Sequence, residues 1–222
     1  DRSCSQKLWS ETRFLGLWFL VIKLFFTRVQ FYMPRRQVPL VAGNYYHVYN
    51  RGHNRQNIFF ERENYLYFLR QLRHHLIANG TAVIAYCLMP NHYHLLVALE
   101  TDNFSNLMQA FSLSYTKAIN KRYQRVGSLF QGAFQAIHVD REEYLLYLTR
   151  YIHLNPVRAR LVEKAEDWEF SSYPEYARVR GGTLPKMDVV RSQLYSPDQY
   201  SLFMQADSPN EKMLLKHLTF DE

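Results

Sequence analysis

A chain of 222 residues can bury one good core but is short for two large ones, so one catalytic domain with appendages is expected. Its composition, 47% hydrophobic and 21% charged, is that of an ordinary globular protein apart from 17 Tyr and 15 Phe, and its two cysteines, Cys4 and Cys87, exclude a disulfide framework and a cysteine metal cluster and fit a reducing cytoplasm. The net charge of +7 is uneven: 15 basic residues stand against 7 acidic over 33–160, but 7 against 11 over 161–222, so the middle segment is the one suited to a polyanion, with a solvated surface as the plainer account.

Residues 1–32 read apart from the rest. Phe14 to Phe26 is an apolar run broken by Lys23, about half of the roughly 20 residues a spanning helix needs. Thr27-Arg28-Val29-Gln30 follows it in place of a small-residue cleavage site, so neither a membrane span nor a signal peptide is expected. Met33-Pro34-Arg35-Arg36 looks like a cytosolic N-terminus, which makes 1–32 a non-catalytic extension. From Gly43 onward, Asn44 to Asn50 reads as a strand ending at Arg51-Gly52. Residues 61–79 carry Tyr65, Phe68, Leu69, Leu72 and Leu76 at helical spacing and stop at Gly80. Ala82 to Leu88 and Tyr93 to Leu99 read as strands on either side of Met89-Pro90-Asn91. A helix over 104–123 follows, through Leu107, Met108, Phe111, Tyr115 and Ile119. Gly127 and Gly132 bracket a loop, Phe134 to Val139 is a fourth strand, and 141–155 is a helix running into Asn155-Pro156. This alternation predicts an α+β protein, an antiparallel sheet with helices packed on it. Ser171-Ser172-Tyr173-Pro174 and Arg180-Gly181-Gly182 mark loops, and 184–222 has room for two short helices around Ser196-Pro197. The expected division is thus an extension over 1–32, a catalytic domain over 33–173 and an accessory helical tail over 174–222.

The sharpest local feature is His92-Tyr93-His94. On a strand, His92 and His94 share a face while Tyr93 points the other way. Two imidazoles so placed can hold one divalent cation and leave positions open for a substrate oxygen, although a chance pair on a half-exposed strand is common. The helix 141–155 supplies a third candidate ligand and a nucleophile. Tyr151 and Asn155 are four residues apart and stand one above the other. The amide oxygen of Asn155 can complete a His, His, amide set for Mg2+ or Mn2+, with the Tyr151 phenol one turn away. A tyrosine nucleophile makes sense where the energy of a broken phosphodiester is stored covalently and later returned to a DNA hydroxyl. The bland alternative is equally concrete: Tyr144, Tyr147 and Tyr151 as a core stripe and Asn155 as a helix cap before Pro156.

Four segments taken together add to this reading: Tyr46-His47-Val48-Tyr49-Asn50-Arg51-Gly52, Tyr86-Cys87-Leu88-Met89-Pro90-Asn91-His92-Tyr93-His94-Leu95-Leu96, Gly127-Ser128-Leu129-Phe130-Gln131-Gly132, and Tyr151-Ile152-His153-Leu154-Asn155-Pro156-Val157-Arg158-Ala159. In this order they resemble the transposases associated with repetitive extragenic palindromes, members of the IS200/IS605-type superfamily of HUH endonucleases with a single catalytic tyrosine. The resemblance runs from about Gly43 to Tyr173. It implies a ferredoxin-like sheet, His92 and His94 as metal ligands, Asn155 adding to the metal shell, and Tyr151 as the nucleophile that forms a 5′-phosphotyrosine and frees a 3′-OH. The implied substrate is single-stranded DNA folded as a palindromic hairpin, cleaved and rejoined with Mg2+ or Mn2+. Lys117, Lys121, Arg122 and Arg125 near the end of one helix, and Arg150, Arg158 and Arg160 flanking Tyr151, are the candidate DNA-binding residues. Tyr115 is a competing nucleophile, ranked second because its i+4 neighbour Ile119 cannot ligate a metal. Ala133 stands where a basic residue is expected after Gln131-Gly132. Two other functions stay open: a DNA-binding protein of the same fold that has lost cleavage, and a metal-dependent hydrolase using activated water. Whether the protein acts as a monomer or a homodimer is not legible.

Overall fold

Strand β1, Tyr45–Arg51, alternates as the sequence requires. Tyr46 and Val48 enter one core, and His47 and Tyr49 point to the opposite face. The computed structural model describes residues 38–196, 199–206, 216 and 218. The expected extension 1–32 lies outside the described residues.

Helix α1, Arg62–His75, opens with a reciprocal capping box between Glu61 and Asn64 and packs Tyr65, Phe68 and Leu72 on the sheet. It ends earlier than its apolar spacing suggests because Ile77–Asn79 form a separate 3-10 turn, closed by Gly80 at φ 81°. Strands β2, Thr81–Met89, and β3, His92–Leu99, form a hairpin from Met89↔His92 to Thr81↔Leu99. Helix α2, Phe104–Arg122, returns across the same face as α1, strand β4, Gln135–Val139, pairs with β1, and helix α3, Glu143–Arg158, covers the other face. The sheet order is β2-β3-β1-β4 with every neighbouring pair antiparallel. Combined with the chain order β1-α1-β2-β3-α2-β4, this is a ferredoxin-like α+β sheet, as expected from the sequence.

Helix α3 does not stop at Asn155-Pro156 but continues through Pro156 to Arg158. A proline leaves the carbonyl four residues back without its donor. The carbonyl so freed is that of Ile152; the Asn155 side chain reaches it at 3.5 Å, while its short bond, 2.8 Å from Nδ2, goes to Tyr151 O. The helix then closes on a left-handed Arg160, φ 57°, with Leu161 N donating to Pro156 O at 2.9 Å and Arg160 N to Val157 O at 2.9 Å.

Strand β2 is buried along its whole length although it lies at the edge of the sheet. The chain beyond α3 explains this by occupying that edge. Leu88 N donates to Phe170 O, Ser172 N to Tyr86 O, Lys186 N to Val83 O, and Trp168 Nε1 to Leu88 O. An open strand edge invites pairing with another chain, and these bonds remove it. Three short helices follow: α4, Tyr173–Tyr176, α5, Asp188–Arg191, and α6, Gln199–Gln205. The last two flank Ser196, as the sequence suggests. Tyr176, Val190, Tyr200, Met204 and Leu218 share one core with Leu145, Leu148 and Ile152 of α3. Residues 174–196 and 199–206 therefore brace the back of the helix that carries Tyr151. Among the described residues, no helix is long and apolar enough to cross a membrane.

Candidate active site

Strand alternation buries Tyr93 in the α1–α2 core and turns His92 and His94 toward α3. The two imidazoles lie perpendicular, with centroids 5.0 Å apart. A third imidazole comes from the neighbouring strand: His47 Nε2 lies 3.0 Å from His94 Nδ1, and His47 Nδ1 donates to Leu218 O at 2.6 Å. Burial opposes a positive charge on either ring. It pushes His47 down to about 4 against a smaller raising effect of the Leu218 carbonyl bond, and holds His94 well below its ordinary value, with His47 and His92 adding to the shift. Neutral imidazole is the state a metal ligand needs.

Helix α3 brings Tyr151 onto this cluster. Its ring stands edge-on to His94 at 5.9 Å and to His47 at 6.2 Å between centroids. The guanidinium of Arg158 sits over the Tyr151 ring, 5.1 Å from its centroid. Asn155 lies one turn beyond Tyr151, toward Ala159, and Ala159 lines a cleft of about 320 Å3 with His92, Arg51, Arg55, Asn57, Asn91 and Leu161. With Nδ2 of Asn155 bonded to carbonyls of its own helix, Oδ1 is the end of the amide left for a cation. Among the described residues, no three His, Cys, Asp or Glu side chains gather as a metal cluster, so a divalent ion here would rest on two imidazoles, an amide and substrate oxygens. Such a mixed nitrogen and oxygen set can take a divalent ion while leaving positions open for a substrate oxygen.

Residues 41–155 match the family described as "Transposase IS200 like". The chain belongs to this family. A protein of Haemophilus influenzae that carries the name REP-associated tyrosine transposase is 27% identical over 101 residues, a match covering 40% of this chain and 57% of that relative's length. A solved structure of a REP-associated tyrosine transposase bound to a REP hairpin superimposes with a TM-score of 0.56 at 16% identity, over 71% of this chain and 96% of its own, a likeness of fold.

Within this family frame, the structure brings His92, His94, Tyr151, Asn155 and Arg158 to one end of the sheet on its α3 face, with the exposed Arg160 just past the helix end. Arg150 is not among them. It is buried, its guanidinium donates to the carbonyls of Met204 and Ala206, and it packs over Phe203, so its charge is spent inside the C-terminal brace and not offered to a phosphate. Lys117, Lys121, Arg122 and Arg125 lie near the end of α2, on the opposite face of the sheet. Arg122 pairs with Glu61 and Arg125 stacks over Phe60. Tyr115 is also on that face, fully buried, its hydroxyl donating to Ile58 O at 2.8 Å, and burial pushes its pKa far up. The competing nucleophile is therefore a core residue.

Sequence reasoning missed four cleft residues. Arg51 ends β1, and its Nε and Nη2 donate to Gln131 Oε1 at 3.3 and 3.2 Å. It also lines a second cleft of about 490 Å3 with Tyr49, Asn50, Gly132, Ala133 and Gln135. Arg55 and Asn57 follow a turn made possible by Gly52, where a Cβ would lie 2.0 Å from Gln56 O. Asn91 precedes His92 in the hairpin turn. The signal available in the sequence was the Arg51-Gly52 and Pro90-Asn91 pairs, which stood within the resemblance motifs but were given no role of their own.

Proposed function

We propose that this protein is a metal-dependent single-stranded DNA endonuclease and transposase that cleaves and rejoins DNA at palindromic hairpin sites through a 5′-phosphotyrosine. The observation that carries the reading is the meeting of Tyr151 on α3 with His94 on β3, whose same-face neighbour His92 lines a basic cleft. The hairpin substrate is suggested by the DNA in the solved structure of similar fold.

In this mechanism the single strand lies along the cleft lined by Arg51 and Arg55, with Arg158 and the exposed Arg160 at the end of α3 contacting phosphates. The α2 cluster, across the sheet, suits a separate stretch of backbone. Tyr151 Oη attacks the scissile phosphorus, the bond from phosphorus to the 3′ oxygen breaks, the phenol proton is lost and the 3′ oxygen gains one. The phosphodiester energy stays in the tyrosyl ester, so a 3′-OH can reverse the step and join a new strand. Arg158, over the phenol ring, stabilises negative charge in this region. His92, His94 and Asn155 Oδ1 would hold a divalent ion whose contribution is to polarise and fix the scissile phosphate.

The test is a covalent-adduct assay. Labelled single-stranded hairpin DNA is incubated with protein and Mg2+ or Mn2+, then run on a denaturing gel. A shifted, protease-sensitive DNA band is expected. Hairpin binding with no adduct and no nicks would instead assign the protein to the binding class, and nicks without an adduct to the hydrolases.

A further inference from the structure

The hydrogen bonds around His92 and His94 fix where each ring carries its proton. A carbonyl only accepts, so the bond from His47 to Leu218 O puts a hydrogen on His47 Nδ1. In the neutral ring His47 Nε2 is then an acceptor, and the 3.0 Å contact to His94 Nδ1 is a donation from His94. The neutral His94 ring is left with its lone pair on Nε2. His92 reaches the same state by a separate route. Asn91 Nδ2 donates to Arg55 O at 3.2 Å, which orients the amide so that Oδ1 faces His92 Nδ1 at 2.6 Å and accepts its proton. Two unrelated contacts, one from β1 and one from the β2–β3 turn, thus give both histidines the same tautomer.

We propose that His47 and Asn91 are positioning residues that hold His94 and His92 as Nδ1–H tautomers, so that each presents Nε2 as its electron-pair donor. The proposal rests on the metal reading of the histidine pair for its purpose, but not for its observable. Metal-bound histidines generally donate their other ring N–H to a fixed acceptor, and loss of that acceptor lowers metal affinity by about 10- to 100-fold. His47 is unusual as such an acceptor because it is a neutral imidazole, itself locked by a backbone carbonyl. A carboxylate there would add a negative charge and tighten the site. The neutral relay sets the tautomer without that charge.

The decisive measurement uses the full chain, 15N-labelled and metal-free, in long-range 1H–15N correlation spectra of its histidine rings. Protonated Nδ1 and unprotonated Nε2 are expected for His92, His94 and His47. A proton on Nε2 of His94 would overturn the assignment without any mutation. In His47→Leu the acceptor is lost: the His94 ring should show both tautomers, and Mn2+ affinity, read by electron paramagnetic resonance of free ion, should fall about 10- to 100-fold. His47→Gln supplies an amide oxygen to the same N–H and should restore the single tautomer and most of the affinity. A His47→Leu protein that keeps both the tautomer and the affinity would also overturn the proposal. The two readings fail separately: wild-type rings as assigned with no Mn2+ binding would sink the metal reading and uphold the relay, whereas Mn2+ binding with Nε2–H on His94 would sink the relay alone.

Discussion

The Tyr151 ring meets the His94 ring edge-on, with planes at 86° and centroids 5.9 Å apart, across the gap between α3 and β3. This contact joins the candidate nucleophile to the candidate metal site, and it gives the first prediction. Tyr151→Phe keeps the ring and its packing and deletes only the oxygen. Adduct formation and strand cleavage should vanish on a denaturing gel, while hairpin affinity and melting temperature stay close to wild type. Tyr115→Phe should behave in the opposite way. It removes a buried bond to Ile58 O, costs on the order of 1 kcal/mol of stability, and leaves cleavage intact. An active Tyr151→Phe enzyme would remove Tyr151 from the chemistry.

The metal reading predicts that His92→Ala and His94→Ala each abolish cleavage in Mg2+ or Mn2+ while hairpin binding, carried by the arginines, survives. Circular dichroism should show both variants folded, with His94→Ala the less stable because its ring is fully buried. Cleavage that persists undiminished in EDTA would contradict the assignment.

How much of this was legible in the sequence depended on whether the determining contact was local. The period-two pattern that puts His92 and His94 on one face of β3, and the i, i+4 relation of Tyr151 and Asn155, are properties of single elements and could be read directly. The same holds for the strand and helix order behind the ferredoxin-like sheet. Tyr115 could not be separated from Tyr151 on spacing, because each sits in an amphipathic helix. Only the sheet, by sending α2 and α3 to opposite faces, decides which phenol reaches the histidines. Arg150 failed for a related reason. Its closeness to Tyr151 in sequence suggested a phosphate contact, but it projects toward Met204 and Ala206, carbonyls more than fifty residues away. His47 was visible in the Tyr46–Gly52 motif, yet its role depends on two contacts, 47 and 171 residues distant, that no local pattern encodes.

Acid should loosen the brace behind α3. His153 is buried, with Nδ1 2.7 Å from Tyr200 Oη and Nε2 2.7 Å from Ser172 Oγ, and burial lowers it to about 3. Between that value and the unfolded value near 6.5, the unfolded chain binds the proton and the folded one does not. Stability is therefore full above pH 6.5 and falls as pH drops through this window, by about 3 kcal/mol between pH 6.5 and pH 4 from this residue alone. Urea midpoints measured from pH 7 to pH 4 should show the decline. In His153→Gln, which has no titrating ring, the slope should be shallower by that amount, and an unchanged slope would mean that His153 is not held neutral.

Arg150 and Arg158 are eight residues apart on one helix but should give opposite phenotypes. Arg150→Ala leaves the Met204 and Ala206 carbonyls without their buried charged donor, and should cost about 2–3 kcal/mol of stability. The exposed Arg158 should lose little stability on substitution by Ala. Its loss should instead weaken hairpin binding and lower the salt dependence of affinity by about one counterion. Thermal melts and binding isotherms at several salt concentrations separate the two. A destabilised Arg158→Ala or a hairpin-specific defect in Arg150→Ala would reverse the assignment.

Arg160 closes α3 from the left-handed region, φ 57°, where glycine is the usual residue. A side chain there costs about 1–2 kcal/mol of strain, which the chain carries just past the helix end, where Arg160 faces solvent between the cleft-lining Ala159 and Leu161. Arg160→Gly relieves the strain but adds backbone entropy to the unfolded state, worth about 0.5–1 kcal/mol in the other direction. The two nearly cancel, and the melting temperature should rise slightly or stay level. Arg160→Ala keeps the strain and loses the same charge, so it should be no more stable than wild type. If the charge contacts DNA, both variants should bind the hairpin more weakly and by the same factor, with a salt slope reduced by about one. Equal affinity in all three proteins would show that Arg160 serves only to end the helix.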